Sequence, residues 1–392
     1  MSLPISYSVR NVRARLRRTS LTIAVIALAV IATAVFLALL SSLQRTIVST
    51  GSPDNIVVLR KGSDNDGSSM LTLEAYQAIR FLDGIARDQD GQPIVSPEMV
   101  VQPTVWTTRG VRENVLVRGV EPMAFAVHDQ VRIAEGRMFR PSSGEIVLGR
   151  GTVGRYAGAR LGEIMAFGRG RWRVVGIMDA GGSSFESEIW ADARELANDA
   201  HRPFPFSGVR MRVAPATDPG ALIRRIEDDP RYALEAKPET EYYAEQAKSS
   251  RTLYFLLVIL AVPVGIAAGL GAANTMFAAV QARTVEIGTL RALGFSRATI
   301  LRAFLVESFG VAMIGFVLGA LGTLALAALL AVVMGGIGFA AATFSTNVVT
   351  LRVSPRDLAA AFVFAATIGI VGGLLPAWRA ARLRPVEALR KA

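Results

Sequence analysis

RTVEIGTLRALGFSRATILRA, residues 283–303, places four arginines and two glycines within 21 residues, between two long apolar runs. An arginine at the centre of a membrane helix costs about 2.5–3.5 kcal/mol, so four cannot lie in hydrocarbon and the flanking runs must be separate helices. The chain is 51% hydrophobic over 392 residues, and four runs are long enough to cross a bilayer: Leu21 to Ser42, Leu253 to Val280, Phe304 to Met334 and Leu358 to Trp378. A hydrocarbon core of about 30 Å needs about 20 helical residues. No Lys or Arg lies inside these runs, and their one acid is Glu307, near the start of the third. The first run exceeds a signal-peptide core and no small-residue cleavage motif follows it, so it reads as a span.

Charge placement sets the orientation. Residues 43–250 hold 26 Lys+Arg against 28 Asp+Glu, whereas the remainder holds 17 against 4. Arg10, Arg13, Arg15, Arg17 and Arg18 precede the first span, and Arg379, Arg382, Arg384, Arg390 and Lys391 follow the fourth. The positive-inside rule puts both termini and the 281–303 loop in the cytoplasm, and residues 43–250 outside. Because the basic residues sit at span ends, their partners are anionic headgroups, with no nucleic acid expected.

The expected order is a cytoplasmic amphipathic segment (1–19), a first span (20–42), an extracytoplasmic domain (43–250) and a second span (251–280). A cytoplasmic loop (281–303), a third span (304–334), a short outer loop (335–356), a fourth span (357–378) and a cytoplasmic tail (379–392) follow. The outer domain mixes strands and helices. Strands are expected at 55–60, 114–120, 145–150 and 208–214, with a hairpin at 164–178 turning at Gly168 to Gly170. Helices are expected over Thr72 to Leu82 and from the Asp218 cap to Asp228. The fold class is therefore a four-span α-helical membrane protein with a large α+β extracytoplasmic domain between the first and second spans.

No Pro or Gly interrupts Glu239 to Ala261, which reads as one helix running from the domain into the second span. Gly265 with Gly269 and Gly315 with Gly319 have the spacing that lets helices pack closely, within one chain or between copies. Pro263 predicts a bend, and Pro376 a break before the tail.

Chemistry-bearing constellations are missing. The histidines, His128 and His201, have no metal-ligand spacing around them and read as ordinary surface residues. No lysine follows a GxxxxG, so no phosphate-cradling loop is present, and no catalytic, cofactor-binding or metal site is expected in this sequence. Glu307 reads as an interfacial structural acid and Asn274 as a helix-helix hydrogen-bonding group.

Within 283–303, Gly294 suits a left-handed helix end and Ser296 an N-cap, giving a short helix, a tight turn and a new helix entering the third span. Ile287, Leu290 and Leu293 would form an apolar ridge beside Glu286 and Arg291.

This pattern resembles the cytoplasmic loop of FtsX-like ABC permeases of the MacB/FtsX/LolCDE superfamily, through Arg283, Glu286, Ile287, Gly288, Arg291, Ala292 and Gly294, with Ile300, Leu301 and Glu307 following. GGLLPAWRAARLRPVEALR (372–390) is similar to the superfamily's closing motif, and SYSVRNVRARLRRTSLT, GSPDNIVVLRKGS, FESEIW and ETEYYAEQ resemble DevC-type and MacB-type permeases without a fused ATPase. The resemblance implies a periplasmic domain whose porter-like part comes from both ends (43–119 and 206–250), with a subdomain inserted at 120–205. It implies a bacterial inner-membrane homodimer served by separate cytoplasmic ATPase chains that carry ATP and Mg. Arg283, Glu286, Ile287, Gly288, Leu290, Arg291, Leu293, Gly294 and Phe295 would couple to that ATPase.

Two functions are compatible with this reading. One is export or extraction of an amphiphilic substrate with a membrane-fusion adaptor. The other is FtsX-like signalling to a cell-wall hydrolase without cargo. On the topology common to both, protease added outside spheroplasts should cut within residues 62–69 and leave 283–302 intact. Cleavage in the latter segment would reverse the orientation.

Overall fold

A computed structural model describes residues 16–202, 205–248, 251–334, 337–340, 346–349 and 351–384. The expected amphipathic N-terminal segment up to residue 15, the junction at 249–250 and the closing motif from residue 385 lie outside these residues.

In chain order the elements begin with α1 (Leu16–Val48), β1 (Asn55–Arg60), α2 (Leu73–Ile79), β2 (Val95–Val101), β3 (Thr104–Trp106), β4 (Arg112–Asn114) and β5 (Leu116–Val120). Next come α3 (Ala124–Val127), β6 (Arg132–Gly136), β7 (Glu145–Gly149), β8 (Ile164–Phe167), β9 (Gly170–Asp179), β10 (Glu188–Asp192), α4 (Ala193–Asp199), β11 (Gly208–Arg212), α5 (Pro219–Glu227) and β12 (Leu234–Pro238). The chain continues with α6 (Glu239–Lys248), α7 (Arg251–Ala282), α8 (Thr284–Ala292), α9 (Arg297–Met334), β13 (Ile337–Ala340), β14 (Thr346–Val349) and α10 (Pro355–Ala381). It divides into a helical unit (1–41, 252–333 and 351–392) and an α/β unit (42–251 and 334–350).

Among the described residues, four helices are long and apolar enough to cross a membrane: Thr19–Val48, Val258–Ala282, Arg297–Val332 and Pro355–Ala381. Small residues let them pack backbone to side chain. A Cβ at Gly315 would lie 2.7 Å from the Ile26 side chain, one at Gly319 2.6 Å from Val30, and one at Gly369 2.6 Å from the Ala312 methyl. The result is an apolar centre that includes Ile23, Ile26, Val30, Ala272, Ala312, Ala365 and Ile368. Polar side chains serve the same packing: Ser308 Oγ donates to Gly369 O at 2.7 Å, and the Thr22 and Thr275 hydroxyls bond each other. Both Pro263 and Pro376 lie inside continuous helices. The expected break at Pro376 is thus corrected: the helix runs on to Ala381 with Pro376 buried in it. A proline removes one backbone donor, and membrane helices tolerate it where packed neighbours hold the turn.

In the α/β unit, strand order in the main sheet is β12-β1-β11-β2-β5-β10-β7-β9-β6, with β8 added against β9. Most pairs are antiparallel; β5 with β10 and β7 with β9 are parallel. The expected hairpin forms, pairing Phe167 with Gly170 around Gly168, whose φ is +60°. Thr72 and Asp218 cap α2 and α5 through their side chains.

Two of the apolar cores on this sheet mark its two halves. The first gathers Ile56, Val58, Tyr76, Ile79, Val209, Met211, Leu222 and Ile226 under α2 and α5. The second begins at Met99 and includes Val105, Val117, Ile146, Leu148, Tyr156, Trp172, Ile189 and Leu196. Residues 99–119, which the expected division at 120 assigns to the first part, thus pack with the second.

Strand β2 joins the two halves. Val95 to Glu98 pair with β11, and Met99 to Val101 pair with β5, so the ladder changes partner between Glu98 and Met99. Each half is paired on one side only, which gives a mid-sheet strand the edge character that Pro97 requires.

The glycine contacts distinguish two substitutions. Gly319→Ala should destabilise the chain in detergent by about 1–3 kcal/mol through overpacking against Val30. Gly269→Ala, whose new Cβ meets no heavy atom within 4 Å, should change the thermal midpoint by less than about 0.5 kcal/mol equivalent.

Candidate functional site: a buried charge network and a short helix between spans

The sheet register builds the first site. Ser96 pairs with Arg210, and Val100 with Arg118. Glu98 lies two residues from each on the same strand, so the period of two puts Glu98, Arg118 and Arg210 on one face. Trp190 pairs with Arg118 across β10, and Glu188, two residues away, joins the same row.

Contacts follow that geometry. Arg118 donates to both Glu188 carboxylate oxygens at 2.6 Å and to Glu98 Oε2 at 2.8 Å. Arg210 donates to the same Glu98 oxygen at 2.8 Å and to Asp66 Oδ2 at 2.7 Å. His128 Nε2 is 2.7 Å from Glu98 Oε1, and Trp190 Nε1 donates to Glu188 at 3.0 Å. Two arginines therefore meet four carboxylates, Asp66, Glu98, Glu188 and Glu239, all buried.

Glu239 ties the ends of the α/β segment together. It is the first residue of α6, and its Oε2 accepts from Ser52 N at 3.0 Å and from Asn55 Nδ2 at 2.9 Å. Its Oε1 lies 3.3 Å from Arg210 Nε. Tyr242, a turn further on, accepts from Asp66 N–H and donates to Asp66 Oδ2. The start of β1, the start of α6 and both halves of the sheet thus share one polar cluster.

Burial alone would raise the Glu98 carboxyl, but Arg210, His128 and Arg118 hold it well below the usual carboxylate range. Burial would lower both arginines, yet Glu188 for Arg118 and Asp66 with Glu98 for Arg210 push them well above theirs. Burial pushes the Tyr242 and Tyr243 phenols up.

His128, read from sequence as a surface residue, is instead completely buried, with its ring edge against Phe185 and Trp190. His201 is exposed. The network escaped the sequence reading because its charges sit singly within strands, as in VSPEMVV and NVLVRGV. Their period-two alignment becomes visible only once the strand register is known.

The second site is α8. Arg283, just before it, is 5% exposed and donates to Glu307 Oε2 at 2.9 Å, so the acid near the start of the third span fixes the entry to this helix. Ile287 is buried with Met276, Val280, Ile300, Phe304, Ala377 and Ala380, and Gly288 is buried beside it. Arg291 Nη1 donates to Phe295 O at 3.0 Å across the turn, and Gly294 takes φ +91°, a left-handed conformation open to glycine without strain. Ser296 then caps α9 by accepting from Thr299 N at 3.1 Å.

Leu293 is 69% exposed and Leu290 half-buried, so Ile287, Leu290 and Leu293 do not form a common ridge. At about 100° per residue, Ile287 and Leu293 point roughly 120° apart. Arg283, Ile287 and Gly288 turn inward; Val285, Glu286, Thr289, Ala292 and Leu293 form the exposed face. Among the paired glycines, Gly315 and Gly319 receive α1, Gly265 receives the Phe364 ring, and Gly269 lies against Gly372 of α10.

The model of the MacB-like periplasmic core domain matches residues 19–229, and that of the FtsX-like permease C-terminal region matches residues 254–385. The chain belongs to the FtsX/MacB-type ABC permeases. The permease is 29% identical over 325 residues to the macrolide export ATP-binding/permease protein MacB of Rhodopseudomonas palustris, covering 74% of this chain and 46% of that one. It is 28% identical over 380 residues to the protein of the same name from Bdellovibrio bacteriovorus, covering 89% and 55%. The chain spans about half the length of these curated relatives.

Among solved structures, the permease is similar to the periplasmic region of MacB from Actinobacillus actinomycetemcomitans: TM-score 0.39, 12% identity, 51% of this chain and 94% of that one. It is also similar to the extracellular domain of the transporter YknZ from Gram-positive bacteria: TM-score 0.36, 16% identity, 47% and 99% covered. The four apolar helices, with a mixed α/β domain between the first and second, fit a multi-pass membrane permease.

Removing Glu98 leaves two buried arginines short of a partner. Glu98→Gln should therefore cost about 3–5 kcal/mol of stability, measured by denaturation of the full chain in detergent. Its depressed carboxyl contributes stability that is fully present above the unfolded value, about 4.3. That contribution is lost as pH falls toward the lower folded value, so the variant should show a flatter acid limb than the wild type.

Proposed function

We propose that this permease passes movement from a cytoplasmic ABC ATPase on a separate chain to its α/β domain outside the bacterial cytoplasmic membrane. In this reading both termini and α8 are cytoplasmic, ATP and Mg are bound by the partner, and two permease copies work together. The carrying observation is the division of α8 into two faces. Ile287 and the Arg283–Glu307 pair fasten one face to the span bases, while Val285, Glu286, Thr289 and Leu293 stay exposed. A partner pressing on the exposed face would move α7 and α9 together. The charge of residues 281–303 and the family of the chain support this reading.

The work done is export or extraction of an amphiphilic substrate, handled at the outer face with a membrane-fusion adaptor. The side-chain hydrogen bonds of the spans favour this over passage through the helices: Thr22 with Thr275, Ser308 with Gly369 O and Ser41 with Asp357 all join one helix to another. The same observation fits FtsX-like signalling to a cell-wall hydrolase without cargo. Recovery of an adaptor with the purified complex supports export, and recovery of a peptidoglycan hydrolase supports signalling.

Leu293→Asp and Glu286→Lys should each lower permease-dependent stimulation of the partner ATPase at least about tenfold, as hot-spot substitutions do. Membrane insertion and thermal midpoint should stay at wild-type values. Unchanged stimulation in both variants would remove α8 as the contact.

A further inference from the structure

Within the described part of α7, the buried stripe Ala268, Ala272, Met276 and Val280 faces the other helices of the same chain. On the opposite side lie Ala267, Gly271, Asn274 and Ala278, within an arc of about 60° at 3.6 residues per turn. Ala267, Asn274 and Ala278 are exposed, and a Cβ at Gly271 would meet no heavy atom within 4 Å. Asn274 is the anomaly on this face. It lies about 12 Å along the helix from Ala282, at 1.5 Å per residue, well inside the apolar run. Its carboxamide has no hydrogen-bond partner among the described residues. Lipid offers neither donor nor acceptor, so an amide in that position is costly unless another protein surface covers it.

We propose that Asn274 is covered by Asn274 of a second copy of this chain, in an α7–α7 seam about a twofold axis. A carboxamide holds both a donor and an acceptor, so it is self-complementary: two copies related by a twofold satisfy each other, as an isologous interface requires. The residues around it suit this occupant. The spacings from 267 to 271, 274 and 278 are four, three and four, the heptad rhythm of a helix pair; Ala267, Gly271 and Ala278 along that row are small enough for close approach, with the exposed Leu270 and the half-buried Phe277 on one flank. A single polar residue at such a position sets register and copy number. The seam rests on the reading of the permease as a pair of copies and adds to it the helix and the residue that join them.

The chain has no cysteine, so single-cysteine variants report contacts without background. In native membranes, Asn274→Cys and Ala278→Cys should form oxidative dimers several-fold more than Ile266→Cys, which lies about 100° away around the helix. By native electrophoresis, Asn274→Leu should lower the dimer fraction several-fold, and Asn274→Gln should restore much of it. Dimers in the gel with cross-linking at Ile266→Cys as strong as at the seam would overturn the seam alone. Asn274→Leu dimerising as well as the wild type would overturn the amide pairing. A wild-type chain running only as a monomer would overturn the two-copy reading beneath both.

Discussion

The carboxylate of Glu98, shared between Arg118 and Arg210, is the interaction on which the α/β unit depends. It lies where β2 changes partner, so the interruption in the ladder coincides with a buried cluster of two arginines and four carboxylates. Charges buried this deeply rarely add net stability compared with a well-packed apolar row. What they supply is register. A slip of β2 by one residue would turn Glu98 to the other face and leave both guanidiniums buried without it.

Through Glu239 the same cluster reaches the chain leaving α1 and the start of α6. The ends of the α/β segment are therefore joined by hydrogen bonds to one carboxylate rather than by apolar packing alone. At the helical unit a comparable economy holds. One acid, Glu307, fixes Arg283 before α8, and one glycine, Gly294, reverses the chain after it. A nine-residue helix is too short to be stable in water unaided. Its position comes from Ile287, inserted among side chains of α7, α9 and α10.

Much of this was legible in the sequence. Four apolar runs, the Gly-Arg-Gly hairpin, the Asp218 cap and the Gly294–Ser296 turn each depend on local chemistry, and each element forms as read. Non-local features were not legible. Strand β2 carries a proline and a glutamate, both poor signals for a strand, and its place was set by partners more than 100 residues distant in β11. His128 gave no hint of burial because its partners come from other elements. The inward turn of Ile287 and the outward turn of Leu293 follow from helical phase, which a spacing of three and three obscures.

The handover within β2 also bears on which part of the domain could be replaced as a unit. The first core closes on residues 56–95 and 206–236, and everything from Met99 onward is gathered in its own cores before the chain returns at β11. That stretch builds its own cores, yet Arg118 and His128 within it complete the cluster around Glu98, and Val127 O and Asp129 hold Asn55 and Arg212 of the parent half. A substitute for it would have to present these polar groups at the joint as well as a core of its own.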